Sequence, residues 1–228
     1  MTYNEIGKAY RGLGGKAAFY DGMITCSSFL GKLVCALVWN MDKSTSASYF
    51  KKALSGIPSD FSGSLFEVPV GTGVITMPVY RNLKKADITC LDYSMEMMSV
   101  ARKRAELMEL PNVKFIQGDV GCLSFDDDVF DIVLSLNGFH AFPDKEAAFH
   151  ETFRVLKPGG VFCGCFYIRG EISRTDWMIR HFYEPKGFFT PPFDTAQSLR
   201  TRLENLYADV TLDTVKSMAC FCCRKSTV

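Results

Sequence analysis

The sequence predicts an α/β fold, a mostly parallel seven-stranded sheet flanked by helices with a helical cover over one end. Three observations carry this expectation. Residues 65–73, Leu-Phe-Glu-Val-Pro-Val-Gly-Thr-Gly, set an apolar run directly before a glycine turn. Strand-like and helix-like segments then alternate from Leu65 to Ile168, the rhythm of parallel strands joined by helical crossovers. Two further apolar runs end the chain after a stretch of different composition.

The elements follow in order. Residues 1–60 read as helices and loops and form an N-terminal helical cover, with aromatic positions at Tyr3, Tyr10, Phe19, Tyr20, Phe29, Trp39, Tyr49 and Phe50 that either line a lid or pack helices onto the sheet. Ile57-Pro58-Ser59-Asp60 breaks the chain before the first strand, Leu65 to Val70. A helix is expected around Val79 to Lys84, with Pro78 near its start. Ala86 to Leu91 is the second strand. Tyr93 to Met108 is an amphipathic helix carrying Met97, Val100, Ala101 and Met108 on its apolar side. Val113 to Gln117 and Phe130 to Leu136 are the third and fourth strands. The helix Lys145 to Leu156, the turn Lys157-Pro158-Gly159-Gly160 and the strand Val161 to Ile168 complete the repeat. Residues 169–200, rich in aromatics, proline and glycine, are expected to be a substrate-cover insertion within a core of residues 61–228. Tyr207 to Leu212 and Val215 to Cys223 read as two final antiparallel strands.

Composition bounds the function. The 228 residues are 47% hydrophobic, enough for one large core, and 26 Lys plus Arg against 25 Asp plus Glu leave a formal charge of +1. A near-neutral chain without a long basic tract argues against nucleic acid as partner. Met1 to Arg11 is polar, and the apolar run Phe29 to Met41 contains Lys32 and is shorter than the roughly 20 residues a spanning helix needs. The chain therefore reads as a soluble, cytoplasmic protein without integral membrane association. Nine cysteines include the same-face pairs Cys163/Cys165 and Cys220/Cys222, which lie in apolar runs and read as small buried hydrophobes rather than metal ligands. Oligomeric state has no signature in the sequence.

The glycine turn suits a nucleotide-type ligand, because Gly71 and Gly73 remove the side chains that would obstruct it at the carboxyl edge of the sheet. Glu67 ends the strand and offers an anion to a cationic or hydrogen-bond-donating group. Asp92 lies 19 residues beyond Gly73, a spacing suited to a ribose, or alternatively caps the following helix. Asp119 and Val120 follow the third strand and suit an adenine, with loop capping as the other reading of Asp119. Tyr93 and Met95 either flank the ligand or pack the helix start. A dinucleotide dehydrogenase uses a similar turn, but Gly71-Thr72-Gly73-Val74-Ile75-Thr76 lacks the third glycine of GxGxxG.

From Leu65 to Ile168 the ordered set Glu67-Val68-Pro69-Val70-Gly71-Thr72-Gly73, Ile88 to Ser94, Phe115 to Val120, Phe130 to Val133 and Arg154 to Gly160 resembles the class I S-adenosylmethionine-dependent methyltransferases. The resemblance is to their small-molecule group, which includes quinone-methylating enzymes, with Pro69 and Val70 departing from the usual glycine-rich or cysteine-containing pattern. It implies a Rossmann-like methyltransferase fold and S-adenosyl-L-methionine as cofactor, with S-adenosyl-L-homocysteine as the product form. It implies that Glu67 orients the methionine part, Asp92 holds the ribose and Asp119 with Val120 meets the adenine, while backbone near Leu136 and Asn137 faces the cofactor. The acceptor is then a small, partly apolar molecule, and no metal is required. His140, in Asn137-Gly138-Phe139-His140-Ala141-Phe142 after the fourth strand, is the candidate catalytic base, with a structural histidine as the alternative. His181, Tyr183, Phe188 and Phe189, with Tyr10 and Tyr20 opposite, are candidates for the acceptor cavity or for aromatic core. The competing function is a non-catalytic ligand-binding or interaction protein on the same fold.

Overall fold

The computed structural model describes residues 17–227, with side chains from Tyr20 onward. Seven strands form one sheet: β1 Ser64–Glu67, β2 Asp87–Asp92, β3 Val113–Gln117, β4 Phe130–Leu136, β5 Leu156–Tyr167, β6 Asp209–Val215 and β7 Met218–Arg224. Their spatial order is β3-β2-β1-β4-β5-β7-β6. Pairs among β1 to β5 are parallel, whereas β7 runs antiparallel to both β5 and β6. Strand order reverses at β1, which lies between β2 and β4, so a crevice opens beyond the carboxyl ends of β1 and β4. Glu67 is the last residue of β1, paired with Leu134 of β4 and Cys90 of β2, and so stands at the floor of that crevice.

Alternation of side chains along each strand divides the core between the two faces. Phe66 joins Val133, Phe139, Phe149, Phe162 and Leu199 on one face, with the Phe66 and Phe130 rings stacked 5.0 Å apart. Its neighbour Leu65 joins Ile88, Met77, Ile132 and Leu134 on the other. The helices along the sheet are α4 Thr76–Tyr80, α5 Met95–Leu107, α6 Lys145–Arg154 and α8 Ala196–Leu206. Helix α5 buries Met97, Met98, Ala101 and Ala105 and starts two residues later than the sequence suggests. The reason is local: the Ser94 hydroxyl accepts the Met97 N–H and caps the helix. Helix α4 is shorter and earlier than expected, with Pro78 as its third residue. Strand β5 already begins at Leu156, because Leu156 pairs with Phe130 before the Lys157-to-Gly160 turn shifts the register to Val161 against Ile132.

Among the described residues three helices precede β1: α1 Ala17–Ile24, α2 Phe29–Leu37 and α3 Lys43–Ala53. Helices α1 and α2 touch backbone to backbone, since a Cβ on Gly31 would lie only 1.9 Å from the Gly22 carbonyl oxygen. A disulfide ties Cys26, two residues past α1, to Cys35 of α2. After β5 the chain forms α7 Ser173–Met178, a π turn Ile179–Tyr183 and a 3₁₀ turn Glu184–Lys186 before α8. The Thr175 hydroxyl donates to the Val38 carbonyl at 2.7 Å, and the Tyr167 hydroxyl to Asp176 Oδ1 at 2.8 Å, which ties α7 to both α2 and the sheet. Cys163, Cys165 and Cys220 are buried thiols, and among the described residues no group of three His, Cys, Asp or Glu side chains converges as a metal site.

Candidate functional site

Two cavities lie side by side beyond the sheet's carboxyl edge. The first follows the glycine turn and contains about 990 Å³ of empty space, part of it open to solvent. Glu67, Gly71, Gly73, Asp92, Tyr93, Val120 and Leu136 line it. Gly71 and Gly73 have φ of +56° and +66°, and a Cβ added to Gly71 would meet nothing within 4 Å. Gly71 therefore both supplies the left-handed backbone and leaves the space that a ligand can fill.

Two buried carboxylates face this space with different supports. Asp92 accepts the Gly71 N–H through Oδ2 at 2.8 Å and the Ser94 N–H through Oδ1 at 2.8 Å. Burial pushes its pKa up to about 6 against these backbone donors. The helix cap expected as its alternative role belongs to Ser94 instead; Asp92 braces the glycine turn from the neighbouring strand. Glu67 receives the Tyr80 hydroxyl at 2.8 Å and the Cys90 thiol at 3.4 Å on Oε2. Burial raises its pKa to about 8, with the Tyr80 hydrogen bond opposing. Without a ligand, Glu67 is thus largely a neutral acid near pH 7.

The Asp119 carboxylate lies outside the cleft lining, accepting the Gly121 N–H at 2.7 Å within its own loop, while its neighbours Gly118 and Val120 line the cleft. Met95 is exposed, and Met97, two residues on, lines the cleft instead.

The second cavity holds about 1430 Å³ of empty space between α2, α3 and the segment after β5. Its walls are mainly apolar, with Trp39, Met41, Phe188, Phe189 and Met218 among them, and His140, Tyr49, Ser46, Asn137 and Lys186 supply polar groups. Tyr183, Phe188, Phe189 and Tyr20 line this cavity, whereas His181 turns away, its Nδ1 bonded to the Trp177 carbonyl at 2.8 Å. Tyr10 lies outside the described residues. The Tyr167 backbone N–H donates to His140 Nδ1 at 3.2 Å, and the ring stacks on Phe189 at 4.2 Å between centroids. A neutral imidazole accepting at Nδ1 carries its proton on Nε2. Burial, reinforced by the Lys145 charge, lowers the His140 pKa to about 3.

Tyr20, Ile24 and Asn137 line both cavities. Asn137 directly follows β4 with φ of +56°, and its side chain is hydrogen-bonded to Tyr49. Tyr20 and Ile24 come from α1, which is fastened over the cleft by Asp21. The Thr72 hydroxyl donates to Asp21 Oδ1 and Arg104 Nη2 to Asp21 Oδ2, both at 2.6 Å, while Arg104 Nη1 donates to the Thr72 carbonyl. No sequence motif marked this contact, because its members lie 51 and 83 residues apart. Asp21→Ala is expected to cost about 1–3 kcal/mol of cover docking by leaving two donors unpaired. Hydrogen exchange should show faster opening of α1 while β1 to β5 stay protected.

A family described as "Methyltransferase domain" matches residues 66–160. Over 116 residues the chain is 32% identical to the chloroplastic 2-methyl-6-phytyl-1,4-hydroquinone methyltransferase 1 of Oryza sativa subsp. japonica, covering 51% of this chain and 33% of the relative. It is 37% identical over 107 residues to a ubiquinone/menaquinone biosynthesis C-methyltransferase of Bartonella henselae, covering 46% and 41%. The chain thus spans well under half the length of these relatives. Phosphoethanolamine N-methyltransferase 2 of Haemonchus contortus, solved in complex with S-adenosyl-L-methionine, shares the fold with a TM-score of 0.66 at 13% identity over 87% of this chain and 57% of that one. The fold and the glycine-turn site define a Rossmann-like methyltransferase architecture. Across its central motifs the chain is thus similar to class I S-adenosylmethionine-dependent methyltransferases, quinone-methylating members among them.

Proposed function

We propose that this protein transfers a methyl group from S-adenosyl-L-methionine to a small, partly apolar acceptor and releases S-adenosyl-L-homocysteine. The observation that carries this reading is the meeting of the two cavities at Asn137, one lined by Glu67, Asp92 and the glycine turn and the other mainly apolar. The first cavity fits the cofactor: open space over Gly71 and two carboxylates along one wall suit a cationic amino-acid end and a ribose. When bound, the cofactor supplies a methyl group activated on a sulfonium. In this reading the methyl group crosses where Tyr20, Ile24 and Asn137 line both cavities, and the α1 side chains there would keep water from the reacting atoms. In this reading, Val120 and Leu136 pack against the cofactor and Tyr93 flanks it.

His140 is assigned here to orienting the acceptor. A group with a pKa of about 3 is a weak base at neutral pH, but its Nε2–H is a ready donor to an acceptor oxygen or carbonyl. His140→Ala should lower turnover at least tenfold with cofactor affinity unchanged, and His140→Gln should recover part of it through its amide donor. A base would instead give no rescue by Gln.

The reading is tested by calorimetry with S-adenosyl-L-methionine and S-adenosyl-L-homocysteine, followed by incubation of isotopically labelled cofactor with a panel of small molecules and mass spectrometry of both products. Absence of binding by either cofactor form sinks the assignment. Binding without turnover across the panel favours the non-catalytic use of the fold.

A further inference from the structure

Helix α2 reads Phe-Leu-Gly-Lys-Leu-Val-Cys-Ala-Leu, and only Gly31 and Cys35 are buried. The opposite stripe leaves Phe29 87% exposed and Leu30, Leu33 and Leu37 about half exposed. Single exposed leucines are ordinary, but four large apolar side chains on consecutive turns of one helix form a patch that water disfavours. A second element extends it. Trp177 of α7 and Phe182 of the π turn are 52% and 46% exposed, and Arg174 Nη2 bonds the Ala36 carbonyl at 2.9 Å, fastening that segment beside α2. Phe182 and Val34 both line the second cavity, so the patch rims its mouth.

The charge on this face is mainly positive at its edge. Residues 22–41 contain no Asp or Glu, and Lys32 stands exposed among the leucines. Across the mouth Arg180 and Lys186 are exposed, while the acids within α7 and the two turns after it are partly withdrawn: Asp176 accepts from Tyr167 and the Gly170 N–H, and Glu184 is half-buried, leaving Glu171, two residues before α7, as an exposed acid of this segment. Apolar and aromatic side chains ringed by cations match the boundary between acyl chains and anionic headgroups. A second copy matches less well, because a twofold contact through this patch would bring together two rims that both carry Lys32, Arg180 and Lys186.

We propose that this face docks the protein on an anionic lipid surface, with Phe29, Leu33, Leu37 and Trp177 entering the headgroup boundary and Lys32 and Arg180 meeting phosphates. The contact is peripheral, as no helix among the described residues is long and apolar enough to cross a membrane. If the methyl-transfer reading also holds, an apolar acceptor passes from the lipid directly into the second cavity. Docking itself requires neither cofactor nor acceptor, so its test is separate from that of the reaction.

The test is sedimentation of the full chain with vesicles of phosphatidylcholine alone and of phosphatidylcholine mixed with phosphatidylglycerol, together with quenching of tryptophan fluorescence by brominated lipid. The wild type should bind the mixed vesicles and be quenched. Leu33→Asp/Leu37→Asp should weaken binding roughly tenfold or more, and Lys32→Glu/Arg180→Glu should abolish the preference for phosphatidylglycerol, both with native circular dichroism. The second variant leaves the apolar stripe intact and so keeps the test independent of any misfolding in the first. Failure of the wild type to bind the mixed vesicles, or equal binding by wild type and both variants, overturns the proposal. So does self-association in sedimentation velocity that Leu33→Asp/Leu37→Asp removes while vesicle binding is absent.

Discussion

Asp92→Ala is expected to lower affinity for S-adenosyl-L-homocysteine about a hundredfold, equivalent to roughly 2.7 kcal/mol. Two losses combine. Under the proposed function the carboxylate accepts from a ribose, and it also holds the Gly71 and Ser94 N–H groups at 2.8 Å each. Removing it leaves both donors without that partner and loosens the turn on which the open space over Gly71 depends. Calorimetry measures the affinity, and thermal unfolding of the ligand-free variant reports the second loss separately. Asp92→Asn retains one acceptor oxygen and should fall between. An affinity for Asp92→Ala within threefold of wild type would remove Asp92 from the site.

Glu67→Gln should act in opposite directions on stability and on binding. The folded pKa of about 8 lies above the ordinary value of 4.5, so between those limits the ligand-free folded protein holds a proton that the unfolded chain releases. That contribution is fully present below pH 4.5 and is lost as pH rises through 8. Asp92 adds the same sign over a narrower window, from 3.8 to about 6. Wild-type stability should therefore decline from mildly acidic to alkaline pH by an amount on the order of a few kcal/mol. Glutamine cannot ionise, so Glu67→Gln should flatten the Glu67 part of this decline and unfold at higher temperature than wild type at pH 8. A cationic ligand favours the ionised carboxylate, and wild-type affinity for S-adenosyl-L-methionine should rise with pH up to about 8 as binding releases a proton. In Glu67→Gln that rise should be lost and affinity at pH 8 should drop about tenfold or more, without the charge-assisted interaction. Calorimetry in buffers of different ionisation enthalpy counts the proton directly. A pH-independent affinity in the wild type would contradict the assigned role of Glu67.

The local signals in this chain translate into structure for reasons that act within a few residues. Val113 to Gln117 and Phe130 to Leu136 are strands within the bounds their apolar patterns suggest, and the glycine turn lies at the carboxyl end of β1. Boundaries moved where a particular hydrogen bond or pairing intervened. Ser94 sets the start of α5, and the Leu156 pairing with Phe130 draws the Lys157-to-Gly160 turn into β5. The last hairpin shifts because Lys216, with φ of +57°, turns between Val215 and Met218, which pair directly.

What the sequence determined alone is the strand and helix rhythm, the glycine turn and the two acids that end strands beside it. These depend on backbone period, turn residues and short spacings. What only the tertiary structure decided is the company those residues keep. Asp21 reaches Thr72 and Arg104, Tyr80 and Cys90 close around Glu67, and the Tyr167 N–H fixes the protonated nitrogen of His140. Each of those contacts joins segments distant in sequence, and burial at the contact, rather than residue type, moves Glu67 toward the neutral acid and His140 toward the neutral donor.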